Sequence, residues 1–129
     1  MFKFSEATAI ALHSIIYINN KKDVCCVTEI SHKYSISKNH LSKVLQRFVK
    51  EGILKSVMGP KGGFEINDKY KNMTFMQVYE IFEGKYKSHK CLFNNKVGNC
   101  KKCIMSDLIS NIENKFVGYM KSTKISDFK

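Results

Sequence analysis

Cys91, Cys100 and Cys103 fall within thirteen positions, spaced Cx8CxxC, and between them lie glycine, asparagines and lysines. Thiols gathered in a polar loop can bind a metal, form a disulfide, or fill space. Lys90, Lys101 and Lys102 flank them, and neighbouring cations favour the thiolate, the form that binds metals and attacks disulfides. In a reducing cytosol, five cysteines argue against a structural disulfide framework, and clustered thiols there turn to metal or redox chemistry. A CxxC pair with one further cysteine and no evident fourth donor makes a poor structural zinc site. Cys25 and Cys26 stand elsewhere, at the end of the first predicted helix, and read as buried cysteines that bind nothing.

The elements that must position this loop can be read from periodicity. Ser5 can cap a helix running to about Asn19, apolar nearly all round (Ala7, Ile10, Ala11, Leu12, Ile15, Ile18), as a helix packed on several sides would be. Thr28 is the expected N-cap of a short helix, Glu29 to Tyr34. Ser37 caps the next, Lys38 to Lys50, where Leu41, Val44, Leu45, Phe48 and Val49 recur at i, i+3, i+4, i+7, i+8. Gly52 suits the left-handed position after its end. Two β-prone runs, 53–58 and 64–66, flank Gly59-Pro60-Lys61-Gly62-Gly63 and predict a hairpin. Thr74 and Gln77 form a capping box that opens a helix to about Glu83. A last long helix is expected from Ile104 to about Met120, with apolar residues at 104, 108, 112, 116 and 120, widened by Ile109 and Tyr119. His13 and His32 read as ordinary helix residues.

The fold class this predicts is mainly α with a small β-hairpin wing: a winged helix-turn-helix followed by a long C-terminal dimerisation helix. The expected division places the DNA-binding domain at 1–70 and the cysteine loop with the dimerisation helix at 71–129, the two forming one compact unit. A single helix with a wide apolar face beyond a complete small domain calls for a partner, most simply a second copy in a homodimer.

Charge points the same way. Lys and Arg number 22 against 11 Asp and Glu, a net +11, which attracts polyanions such as double-stranded DNA. The apolar share of 43% supports a real core. The longest apolar run, Ala9 to Ile18, is broken by His13 and Ser14, is too short to span a bilayer and lacks a basic leader. The expectation is a cytoplasmic protein with no membrane role. No thioredoxin-like βαβ pattern surrounds the CxxC pair, so an enzyme is disfavoured.

A helix entering the major groove needs short polar or cationic side chains near its N-terminus. Ser37, Lys38, Asn39, His40, Ser42 and Lys43 supply that set: Asn39 suits adenine, and Lys38 or Lys43 suits guanine. Thr28 would meet a phosphate at a helix N-terminus, Arg47 the backbone further along, and Lys61 with Gly62 and Gly63 would bring the wing close to the duplex.

The stretch from Val27 to Leu54 (VTEISHKYSISKNHLSKVLQRFVKEGIL) followed by Gly59 to Ile66 (GPKGGFEI) resembles the Rrf-type winged-helix regulators of bacteria. The segment from Tyr34 to Val44 is most similar to their nitric-oxide-sensing NsrR branch. The likeness extends over the first helix, the wing, the short helix at 75–83, the cysteine loop and the last helix. It implies a homodimeric transcriptional regulator, a repressor, in which Cys91, Cys100 and Cys103 hold an iron–sulfur cluster, 2Fe–2S or 4Fe–4S, that senses nitric oxide or redox state. Thiolates suit such clusters. The alternative on the same fold is a cofactor-free thiol switch using Cys100 and Cys103. Two features depart from the family: the middle cysteine stands late in the loop, and Ser106 occupies the position where some members have a histidine. The aspartate that others draw from helix 1 aligns with Ala9. Glu6 and His89 are conceivable substitutes as a fourth ligand.

Overall fold

A computed structural model of the chain describes residues 2–88, 91–92 and 102–129. Helices α1 (Glu6–Asn20), α2 (Val27–Tyr34) and α3 (Lys38–Lys50) lead into an antiparallel hairpin, β1 (Leu54–Val57) and β2 (Gly63–Ile66). Helices α4 (Phe75–Glu83) and α5 (Leu108–Ser122) follow, and short 3-10 turns occupy Asp68–Tyr70 and Ile125–Asp127. The architecture is a winged helix-turn-helix extended by a helical pair.

Helix α1 is the axis of the core. It packs against α3, α4, β2 and the final 3-10 turn, which leaves it little solvent-facing surface in its middle. Even its polar Thr8 and Ser14 are buried. Ser14 Oγ donates to the Ala11 carbonyl 3.3 Å away, and Thr8 Oγ1 meets Ser5 Oγ at 3.2 Å. Ser5 caps the helix by accepting from the Thr8 N–H. Ile10, Ala11, Ile15 and Ile18 join Ile30, Leu41, Leu45, Phe48, Val78 and Ile125 in one continuous cluster. Against transfer energies of about 1.5–3 kcal/mol per buried large aliphatic or aromatic side chain, this cluster is the main stabilising term.

Helix α3 begins where its serine cap predicts, Ser37 Oγ accepting from the His40 N–H at 3.2 Å. It ends before Gly52, whose φ of +78 is left-handed. Its buried face is Leu41, Val44, Leu45 and Phe48. Thr74 and Gln77 make the full reciprocal capping box on α4. The chain's end returns to this point: the Phe75 N–H donates to the Thr123 carbonyl, and the Ile125 N–H to that of Met73.

Three expectations are corrected. Thr28 is not an N-cap. Helix α2 starts at Val27 with Cys26 in the cap position and no side-chain cap bond. The cause is long-range: the Cys25 N–H donates to the Phe64 carbonyl (2.9 Å) and the Phe64 N–H to that of Cys25 (2.8 Å), holding the chain extended until the helix begins. Cys26 is exposed, although Cys25 is fully buried as expected. The last helix starts at Leu108 rather than Ile104, because Ser106 turns into the left-handed region (φ 52) and donates its N–H to the Cys103 carbonyl.

Candidate nucleic-acid interface and sensing loop

The N-terminal half of α3 carries the polar set. Ser37, Lys38, Asn39 and Lys43 are exposed, with His40 and Ser42 half-buried at the edge of the face. Leu41, Val44 and Leu45 fix their direction by anchoring the opposite side of the helix. Such a surface offers two amines, an amide and an imidazole at hydrogen-bonding reach of a polyanion. Arg47 is exposed but engaged: its Nε donates to Glu51 Oε1 at 3.2 Å, one turn on. His40 Nδ1 lies 3.9 Å from Glu6 Oε1, so the first turn of α1 abuts this face. Thr28 is exposed as the second residue of α2.

Helix α2 is tied to α1 by a three-member polar cluster. Glu29 accepts from the Tyr17 hydroxyl and pairs with Lys21. The Lys21 contact, followed by the tyrosine bond, lowers the Glu29 carboxyl below its ordinary value, and the Glu29 bond raises Tyr17 above its own. Beside them the Cys25 thiol is pushed up to about 12, chiefly by burial and next by the Glu29 charge. Cys25 is therefore a neutral packing residue, unfit as a thiolate ligand.

The wing pairs Leu54 with Ile66, Lys55 with Glu65, Ser56 with Phe64 and Val57 with Gly63. Its glycines serve the protein's own packing. A Cβ on Gly63 would stand 2.3 Å from the Cys25 carbonyl oxygen, and one on Gly62 would stand 2.4 Å from that of Val57. Lys61 is exposed at the turn.

Of the loop cysteines, Cys91 is half-buried and Cys103 exposed, and both are free thiols. Cys100 and His89 lie outside the described residues. Among the described residues, no three metal-binding side chains come together. Both approaches to the loop are anchored on α5. The Tyr86 hydroxyl donates to Glu113 Oε2, and Ser88 Oγ donates to the same oxygen at 3.3 Å. Glu113 is a buried acid, 1% exposed, on the α5 face that also holds Ile109, Phe116 and Met120. Burial and the Glu113 bond raise the Tyr86 phenol above its ordinary value. On the far side, the Cys103 turn runs directly into α5.

Sequence reasoning missed Glu113. The available signal was its place four residues after Ile109 and three before Phe116, on the inward stripe of the helix. It also missed the aromatic box around Phe116. Phe2 stacks on that ring (4.1 Å between centroids), while Phe4, Tyr79 and Tyr86 meet it edge-on or tilted at 5.9, 5.6 and 5.3 Å. The N-terminal segment is further held by the Ser5 N–H donating to Glu83 Oε2 at 2.9 Å.

The predicted stripe on α5 divides. Ile109 and Met120 are buried in the chain's own core and Phe116 is half-buried. Ile104, Leu108, Ile112 and Tyr119 are 90%, 51%, 36% and 56% exposed. A groove of about 350 Å³ adjoins Tyr119, lined also by Leu12, His13, Ile16, Phe75 and Phe128. Among the described residues, no helix is long and apolar enough to cross a membrane.

Known proteins agree with this geometry. The chain is 28% identical over 130 residues to a candidate HTH-type transcriptional regulator of Aquifex aeolicus (strain VF5), covering 96% of this chain and 89% of that protein. It is 27% identical over 100 residues to the HTH-type transcriptional regulator NsrR of Bacillus licheniformis, covering 76% and 69%. The likeness to NsrR thus does not exceed that to the Aquifex protein. The share of a relative's own length that the chain spans runs as low as 53%. The fold is similar to that of CymR, the global cysteine regulator of B. subtilis, with a TM-score of 0.76 over 98% of this chain and 95% of that one at 18% identity. The family profile described as "Rrf2: Iron-dependent Transcriptional regulator" matches residues 4–129. The chain belongs to the Rrf2 family of transcriptional regulators, and it is not an enzyme.

Proposed function

We propose that this regulator is a cytoplasmic, homodimeric repressor whose Cys91, Cys100 and Cys103 hold an iron–sulfur cluster that reports nitric oxide or redox state. The observation that carries this reading is the anchorage of the cysteine loop. Tyr86 and Ser88 fasten one end to Glu113, and the Cys103 turn fastens the other to the start of α5. Cys91 and Cys103 are free and reachable, and a thiolate donor set suits iron better than hard cations. A bound cluster supplies a centre that nitric oxide or oxidants attack. The chain's own part is to hold three thiols between α4 and α5 and to pass a change in the loop to α5.

The exposed Leu108, Ile112 and Tyr119 beside an apolar groove support pairing with a second copy through α5. Ser37, Lys38, Asn39, His40, Ser42 and Lys43 then read base edges in the major groove. Thr28, Arg47 and Lys61 would lie against the backbone, with Gly62 and Gly63 shaping the turn that brings Lys61 to it. Two such faces would sit about 34 Å apart, one DNA turn. Loosening the loop shifts the α5 pair and spoils that spacing.

The test is an anaerobic preparation assayed for iron, sulfide and visible absorption, then for DNA binding before and after nitric oxide. Iron and sulfide in the protein, with binding lost on nitric oxide, are the expected results; colourless protein without iron refutes the cluster. The likeness to a cysteine regulator favours one second reading, a thiol switch without cofactor. In that case mild oxidation gives a reversible loss of two protons by mass spectrometry.

A further inference from the structure

The wing tip carries a side chain that neither charge nor packing explains. Met58 is 88% exposed. Between residues 5 and 75 it is the one large apolar side chain so exposed; the others stand at Phe4 or from Leu92 onward. Scattered apolar residues on a surface are ordinary, but this one cannot withdraw. The turn that carries it is closed by the Gly62 N–H donating to the Gly59 carbonyl at 2.9 Å. Gly59 sits at φ +106, Pro60 has a ring-fixed φ, and Gly62 has no room for a Cβ. Below the turn, the Cys25–Phe64 bridge fixes the hairpin to the loop between α1 and α2. The turn therefore presents a flexible, polarisable thioether to solvent, with Lys55 and Lys61 exposed on either side of it in the chain and Glu65 exposed opposite Lys55.

We propose that Met58 is a specificity-determining residue: its side chain enters the DNA minor groove beside the segment faced by α3 and favours a deformable pyrimidine–purine step there. This rests on the reading of the wing as a DNA contact and deepens it. A thioether has no proton to give a phosphate and is at most a weak acceptor toward a major-groove edge. Its useful contacts are apolar, with sugar walls and with the faces of partly unstacked bases. With α3 in the major groove, the neighbouring groove along the duplex is the minor one. Apolar wedges in that groove, methionine among them, part base steps and kink the duplex. TA and CA/TG steps yield most easily, so a wedge converts DNA stiffness into sequence preference without a hydrogen bond. Lys55 and Lys61 on either side would hold the phosphates through that distortion.

The experiment selects binding sites from a random 24-base-pair pool with the wild-type protein. It then measures affinity for a selected duplex and for the same duplex with its flanking pyrimidine–purine step replaced by a purine–pyrimidine step. Wild type is expected to prefer the first about tenfold, in the range of a single mismatched position. Met58→Ala and Met58→Lys should bring that ratio to within twofold of one. Both variants should unfold with the wild type, since the side chain has no packing to lose. Lys61→Ala should weaken both duplexes equally, testing the wing contact separately. A wild-type ratio near one, or variants that keep the wild-type ratio, overturns the role of Met58 even where Lys61→Ala confirms the wing. A preference abolished by uracil in place of thymine overturns it too, assigning the contact to a thymine methyl in the major groove.

Discussion

Replacing Gly63 by alanine tests whether the wing is rooted in the body of the protein. The added methyl would stand 2.3 Å from the Cys25 carbonyl oxygen and 2.7 Å from its carbon, both backbone atoms that cannot rotate aside. Gly63 also has φ +157, at the margin of the region that only glycine enters freely. Forcing another residue into such a conformation costs about 1–3 kcal/mol. Parting the strands enough to seat the methyl weakens the two Cys25–Phe64 hydrogen bonds, each worth roughly 0.5–1.5 kcal/mol net. The sum is at most about 2–6 kcal/mol, a large fraction of a typical domain's stability of roughly 5–15 kcal/mol. The assay is urea unfolding followed by circular dichroism at equal protein concentrations. The expected result is a lower midpoint at unchanged slope, with the thermal midpoint down by about 10–20 °C for a chain of this size. Gly118→Ala is the matched control. Nothing lies within 4 Å of its added Cβ, and a glycine-to-alanine change within a helix should stabilise by roughly 0.5–1 kcal/mol. Should Gly63→Ala unfold within about 0.5 kcal/mol of wild type, the ordinary spread for inconsequential surface changes, the close approach and the rooted wing are refuted.

Two further outcomes follow from the same structure. Because burial raises the Cys25 thiol to about 12, the folded state keeps a proton that the unfolded chain loses near pH 8.5. Its contribution is complete below that pH and is lost as pH rises toward 12, at a limiting slope of about 1.4 kcal/mol per unit. Denaturant midpoints from pH 8 to 11 should show a shallower fall for Cys25→Ala; parallel curves would contradict the burial argument. Thr74→Ala removes a complete capping box and should cost about 1 kcal/mol, whereas Thr28→Ala, lacking any cap bond, should cost about a third of that or less in the same unfolding assay.

The parts of this fold legible in the sequence are those whose causes are local. Ser37 capping α3, Gly52 ending it, and the Thr74–Gln77 box each arise within four residues, and their elements begin and end where the residues say. Thr28 misled because the start of α2 is set by Phe64, 39 positions away from Cys25, and no local pattern records that pairing. Cys26 misled for the same reason: the bridge turns its neighbour inward and leaves Cys26 in solvent. Around the loop, Glu113 is of a residue type that suggests solvent, yet it is buried with Tyr86 and Ser88 bonded to it from more than twenty residues earlier. The polar face of α3 was legible as a set of side chains. The contact between Glu6 and His40, which brings α1 to that face, was not, since it joins two helices across the turn of the whole motif.

The backbone bridge between Cys25 and Phe64 has a consequence for how such a protein can be switched. It leaves the winged helix-turn-helix without a free joint: the bridge ties the wing to the chain before α2, and α1 packs against both α3 and β2. A solid piece can be withdrawn from DNA or tilted against it, but it cannot be retuned to a different set of letters. In the homodimer proposed above, a signal would then alter only the separation and angle of the two copies. Sites chosen with and without the signal would spell the same half-site words and differ in the gap allowed between them.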